Sequence, residues 1–159
     1  MFRNAFYVGL ALALLIGFWL LWLWQPERQI NRHTEDLFHK IERKDWSGTS
    51  AFVGVEYLDQ WGQDRALLLT RMRSAFAYVR DVKIRHANPT LEIEERRAVW
   101  RAKITIEGGD GEITAILKER VNSLATPFEL EWHQVSGKPW NWKLTSVRNH
   151  DLELPAGEW

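Results

Sequence analysis

The sequence predicts an α+β domain, three helices followed by antiparallel strands, carried behind a single membrane-crossing helix. Three observations predict it. Ala5–Trp24 is an uncharged, apolar run of twenty residues. From Pro26 to Val79 apolar residues recur at three- and four-residue intervals, the period of a half-buried helix. Beyond Val79 they alternate, the period of a half-buried strand. Helices that precede a run of strands form a layer on one face of an antiparallel sheet.

At about 1.5 Å per residue, a helix over Ala5–Trp24 would cross a hydrocarbon core of about 30 Å. Trp19, Trp22 and Trp24 lie towards its end, where indoles favour the headgroup boundary, and Pro26 follows. A cleaved signal peptide is the competing reading. It fits poorly, because its apolar core usually runs about 7–15 residues and ends in small residues, not Trp22-Leu23-Trp24. The boundaries expected are therefore an anchor over 1–25 and one domain over 26–159. Arg28, Arg32 and Lys40 against Arg3 and the α-amino group would favour a cytoplasmic domain by charge count.

Pro26 to Asp45 places Ile30, Leu37, Phe38 and Ile41 on one helical stripe. Val53 to Trp61 is expected as a short second helix through Val53, Tyr57, Leu58 and Trp61, stopped near Gly62. Asp64 can cap a third, in which Leu67, Leu68, Met72, Ala75, Phe76 and Val79 recur. Val82 and Ile84 then alternate, and Asn88-Pro89 is expected to turn the chain before Leu91 and Ile93. Ala98, Trp100, Ala102, Ile104 and Ile106 make a longer strand. Gly108-Gly109-Asp110-Gly111 supplies a turn, after which Ile113, Ala115, Leu117 and Val121 are expected as the apolar face of another strand. Phe128, Leu130 and Trp132 continue to a turn at Ser136-Gly137-Lys138-Pro139, and Trp140, Trp142 and Leu144 close the sheet.

The 159 residues hold 21 Lys+Arg, 21 Asp+Glu and no Cys. Zero net charge gives no electrostatic reason for a nucleic-acid partner, which needs surplus cations to displace phosphate counterions. Without Cys there is no disulfide framework, thiolate metal site or Cys nucleophile. His33 and His39 are six residues apart, about 600° round a helix, so they do not form a metal pair. No metal and no cofactor is expected.

The order of elements, together with Ile41-Glu42-Arg43-Lys44-Asp45-Trp46, the run Tyr57-Leu58-Asp59-Gln60-Trp61-Gly62-Gln63-Asp64-Arg65 and the closing Gly137-Lys138-Pro139-Trp140-Asn141-Trp142-Lys143-Leu144, resembles the nuclear transport factor 2-like family. This is a cystatin-like α+β cone that includes ketosteroid isomerases and polyketide cyclases, and the resemblance spans about residues 27–153. It implies a curved antiparallel sheet wrapped round three helices and a pocket between them. One anchor helix followed by this fold is also the plan of the periplasmic scaffold subunit of type IV secretion systems. That analogy weighs against the charge count and favours a single-pass inner-membrane protein with its domain in the periplasm.

Strand phase points Trp100, Leu117, Phe128, Leu130, Trp132, Trp140, Trp142 and Leu144 into the cone. Glu119 shares the phase of Leu117, His86 that of Val82 and Ile84, and Arg148 that of Trp142 and Leu144. A carboxyl in an apolar cone has its charged form disfavoured, and a neighbouring cation restores it, which is how acid–base sites are tuned. Glu119, His86 and Asp59 are thus catalytic candidates, with Trp100, Trp132, Tyr57, Leu117 and Arg148 lining a ligand site. The bland alternative puts Glu119 at the strand end, paired in solvent with Arg148 or Arg120. The isomerases' phenol on the first long helix has no counterpart, since Pro26 to Asp45 contains no Tyr. The leading expectation is a membrane-anchored, non-catalytic scaffold or ligand-binding domain whose partner is another protein, its own copy or an apolar small molecule. A small isomerase, dehydratase or cyclase, and a lipid-binding domain, are the alternatives.

Overall fold

The computed structural model describes residues 2–23 and 25–153, without the side chains of 2–6, 8, 21 and 23. The elements run α1 (Phe2–Leu23), α2 (Pro26–Glu42), α3 (Trp46–Phe52), α4 (Arg65–Ala77), β1 (Val82–Glu94), β2 (Arg97–Gly108), α5 (Glu112–Asn122), β3 (Phe128–Gln134) and β4 (Trp142–Arg148). The four strands form one antiparallel sheet in the order β1-β2-β3-β4.

The backbone of α1 covers most of the expected anchor. Among the described residues, however, no helix is long and apolar enough to cross a membrane. Of the belt tryptophans, Trp24 lies outside the described residues, whereas Trp19 and Trp22 are exposed. The Arg28 guanidinium stacks 3.2 Å from the Trp22 ring centroid and ties the start of α2 to the end of α1.

Helix α2 carries the core. Ile30, Leu37, Phe38 and Ile41 are buried at the expected spacing and pack with Tyr57, Ala98, Trp100, Ala102, Leu130, Trp132, Trp142 and Leu144. Its end is pinned to the sheet edge: Glu42 accepts the Ile84 backbone N–H at 2.8 Å and the Lys83 ammonium at 3.3 Å. Lys44, at φ 56°, reverses the chain, and Asp45 caps α3 by accepting the Gly48 N–H at 2.8 Å. Asp64 caps α4 as its residue type predicts, accepting the Leu67 N–H at 2.8 Å.

Four elements differ from the sequence reading. The second helix lies at Trp46–Phe52, not Val53–Trp61. Val53 and Gly54 are drawn into extended pairing beside β4, where Gly54 N–H donates to the Leu144 carbonyl at 2.8 Å and Leu58 N–H to that of Thr145 at 3.0 Å. Asn88-Pro89 does not turn the chain but bulges it. β1 runs on as a single strand, with its register shifting between Ala87 and Thr90 and Asn88 at φ 53°.

The segment with Ile113, Ala115, Leu117 and Val121 is α5, a helix and not a strand. Leu117 and Val121 fit both the 3.6 period and alternation, buried Thr114 fits only the former, and Glu, Ala, Leu, Lys and Arg around them are strong helix formers. Leu117 and Val121 pack on a smaller cluster of Val79, Val82 and Ile106. Beyond Ala102, β2 has no strand partner on its β3 side. Asn122 finishes that edge, accepting the Ile106 N–H at 2.7 Å and donating to its carbonyl at 3.0 Å.

The fourth difference is in β4. Glu131 pairs with Ser146 but Trp132 pairs with Leu144, so Thr145 is an extra residue. Inward phase therefore passes from Leu144 to Val147, and Arg148 projects to the opposite face from Trp142. Trp140, expected inside, is 49% exposed.

Candidate functional site

The space between helices and sheet, where sequence phase placed a ligand, is occupied by side chains. Trp100, Trp132 and Trp142 are 1%, 0% and 2% exposed and lie at diagonal positions on the adjacent strands β2, β3 and β4, each offset by two residues from direct pairing. Phe38 meets Trp100 edge-on at 5.9 Å, and His33 meets Trp132 edge-on at 6.0 Å. The Trp100 indole N–H donates to Asn31 Oδ1 at 3.0 Å, and that of Trp142 to the Pro139 carbonyl at 2.9 Å. Trp132 Nε1, Thr34 Oγ1 and His86 Nδ1 are buried with no hydrogen-bond partner, each costing about 1–3 kcal/mol.

His86 is half-buried, with its ring 5.3 Å from Trp100 and 6.3 Å from Phe38. Glu119, by contrast, is exposed on α5. Among the described residues no hydrogen bond or ion pair joins Glu119 to His86 or Asp59, so the three catalytic candidates are not brought together.

Asp59 and Tyr57 form a structural clasp. Asp59 Oδ1 accepts the N–H groups of Trp61 and Gln63 at 2.9 and 2.8 Å, and Oδ2 accepts the Tyr57 hydroxyl at 3.3 Å. Burial, reinforced by the Asp59 charge, drives the Tyr57 hydroxyl far above its ordinary pKa and keeps it a neutral donor. The loop so fixed reaches the far end of the chain. Gln60 donates to the Asn149 carbonyl at 2.6 Å and Trp61 Nε1 to that of Leu152 at 2.9 Å. Buried Asn149 donates in turn to the Thr126 carbonyl at 3.0 Å. The run of residues that resembles a family signature thus closes the domain.

Arg148 belongs to a charged lattice on the other sheet face. Glu131 receives Arg97 through two bonds, at 2.9 and 3.0 Å, and Arg148 at 3.2 Å, while His133 Nε2 lies 3.0 Å away. Arg101 bridges Glu129 at 2.6 Å and Glu92 at 2.9 Å. Arg97 above all, with His133 and Arg148, outweighs burial and holds the Glu131 carboxyl below the usual carboxylate range. Every guanidinium in this shallow pocket, about 60 Å³, is already paired. Among the described residues no group of three or more His, Asp or Glu could hold a metal ion.

Sequence reasoning missed Glu42. Burial raises its carboxyl, but the Ile84 N–H, His39 and Lys83 together bring it below the ordinary value. A lone glutamate at a helix end carries no signal of a strand N–H waiting 42 residues on.

The architecture is that of a cystatin-like α+β cone. No family model matches the sequence, and no curated protein is recognisably similar to it. Solved structures share the fold. A nuclear transport factor 2-like protein of unknown function from Pseudomonas putida superposes with a TM-score of 0.58 at 12% identity, covering 76% of this chain and 82% of that one. A protein from Shewanella frigidimarina provisionally assigned as a ketosteroid isomerase gives 0.57 at 10% identity, covering 77% and 95%. Bd1075 of Bdellovibrio bacteriovorus gives 0.59 at 10% identity over 77% of this chain, which spans only 40% of the length of Bd1075. At such identities the likeness establishes the fold and leaves the chemistry to the residues.

Proposed function

We propose that the chain is a membrane-anchored interaction module that binds another protein or its own copy and performs no catalysis. The observation that carries this reading is the packed interior: Trp100, Trp132 and Trp142 fill the volume in which a substrate would sit. The dispersal of Glu119, His86 and Asp59 supports it, because acid–base work needs groups within hydrogen-bond reach of one reacting atom. The anchor in this reading rests on the uncharged run Ala5–Trp24 in the sequence alone. We place the domain on the periplasmic side of an inner membrane. Confinement to a surface raises effective concentration, which serves an assembly subunit more than an enzyme of soluble metabolites.

Removing residues 1–25 is expected to leave a folded, soluble domain that self-associates in sedimentation velocity; a strictly monomeric product would remove the homo-oligomer part. The provisional isomerase of this fold keeps catalysis as the second reading. It would require Glu119→Gln or His86→Ala to abolish an activity that the unaltered chain displays.

A further inference from the structure

A groove of about 500 Å³ opens between α3 and α4, away from the packed interior. One wall is the face of α4 that carries Arg65, Leu69 and Arg73, and the other is Trp46 and Ser50 of α3. The Arg65 guanidinium is fixed at one end, because its Nη2 donates to the Ser50 carbonyl at 2.8 Å while its Nε is buried with no partner. Trp46 is held edge-on to Phe76 at 6.1 Å. Helix α4 contains Arg65, Arg71 and Arg73 and no carboxylate, and no ion pair among the described residues neutralises Arg65 or Arg73. The nearest acid in sequence, Asp64, is occupied with the Leu67 N–H.

We propose that this groove receives a short segment of a partner protein in which two carboxylates flank one apolar side chain. The two arginines are eight residues apart on one helix, about 12 Å along the axis. In an extended segment, carboxylates four residues apart span about that distance at about 3.3 Å per residue, and they share one face with the residue midway between them. The side chain between them meets Leu69 and Trp46. The apolar surface of Leu69 and Trp46 between the two cations is why a peptide with an apolar side chain, and not a bare phosphate, is the occupant favoured. Exposed Arg73 and half-buried Arg65, neither of them in an ion pair among the described residues, make the charge complement of such a segment. The proposal rests on the interaction-module reading and gives that module its ligand.

The test uses the full chain in neutral phosphatidylcholine nanodiscs, presented to a peptide array in which two glutamates, two to six residues apart, flank a leucine. Binding is expected to peak at a separation of four residues, to vanish when lysine replaces glutamate, and to weaken about tenfold or more in Arg73→Glu. Arg73 is exposed, so that change leaves the fold intact; Arg65→Gln is the second variant. Binding that is flat across separations, or unchanged in Arg73→Glu, overturns the proposal. So does an array that stays silent while Arg73→Glu lowers binding to phosphatidylglycerol vesicles, which would make the groove a headgroup site. A silent array with a self-associating 26–159 domain removes the groove assignment and leaves the interaction reading standing; a monomeric domain with a positive array does the reverse to self-association.

Discussion

Glu131 shows how one residue type can serve a surface without being a site. Its carboxylate sits between two guanidiniums and an imidazole on the helix-free sheet face, 15% exposed. Charge-assisted and bidentate bonds of this kind are the strong ones, so Glu131→Gln is expected to cost about 1–2 kcal/mol at pH 7. The sign of its pH dependence follows from the direction of the shift. A carboxyl held below its unfolded value, about 4.3, stabilises the fold above that pH and loses the contribution as pH falls through its lowered folded value. Urea denaturation at pH 7 and at pH 3 should therefore show the gap between Glu131→Gln and the unaltered chain shrinking at the lower pH. A gap of equal size at both would mean that Arg97 and Arg148 contribute packing alone. Asp59, proposed from sequence as an acid–base group, is the same lesson inside the domain, since its lone pairs are consumed by Trp61, Gln63 and Tyr57.

At the scale of elements, the bulge at Thr145 decides which side chains β4 sends inward. Simple alternation puts Arg148 with Trp142 and Leu144, whereas the observed register puts Val147 there and Arg148 outside. Val147→Lys is therefore expected to destabilise by about 2 kcal/mol or more, because it drives a charge into the packed face. Arg148→Ala should cost about 1 kcal/mol or less, as an exposed pair does. Thermal unfolding of the two variants checks the order, and the reverse order would restore the unbulged strand. This is also where legibility in the sequence stopped. Helix α2, the Asp64 cap, and the inward Trp100, Leu130 and Trp132 were readable because periodicity and capping chemistry act locally. Helix α5 was not, since Leu117 and Val121 satisfy both periods and the choice was made by Asn122 closing the edge of β2. Nor was the non-helical course of Val53–Leu58, in which Gly54 and Leu58 are held by carbonyls of β4 some ninety residues away. Glu119 departs from its strand phase because its segment is α5, and Arg148 from its inward phase because of the bulge at Thr145.

For the whole molecule, the question is whether the cone can hold anything. A drug-sized ligand needs about 300–1,000 Å³. Opening even the lower figure in a packed core costs about 7 kcal/mol at roughly 24 cal/mol per Å³, comparable to the entire stability of a domain, about 5–15 kcal/mol. The sheet edges offer no easier opening: Asn88-Pro89 bulges β1, Glu42 occupies its Ile84 N–H, and Gly54 and Leu58 cover β4. The purified chain is therefore expected to retain no apolar molecule in native mass spectrometry, and its native state should not enhance the fluorescence of an apolar dye. Trp132→Ala supplies the contrast. Deleting a fully buried indole should cost about 3–5 kcal/mol and create the one condition under which a small aromatic such as indole binds and recovers part of that loss, measured as a rise in Tm with indole concentration. A lipid that copurifies with the unaltered chain, or an indole-dependent rise in its Tm equal to that of the variant, would show that the three tryptophans move aside in solution and would return the small-molecule reading to first place.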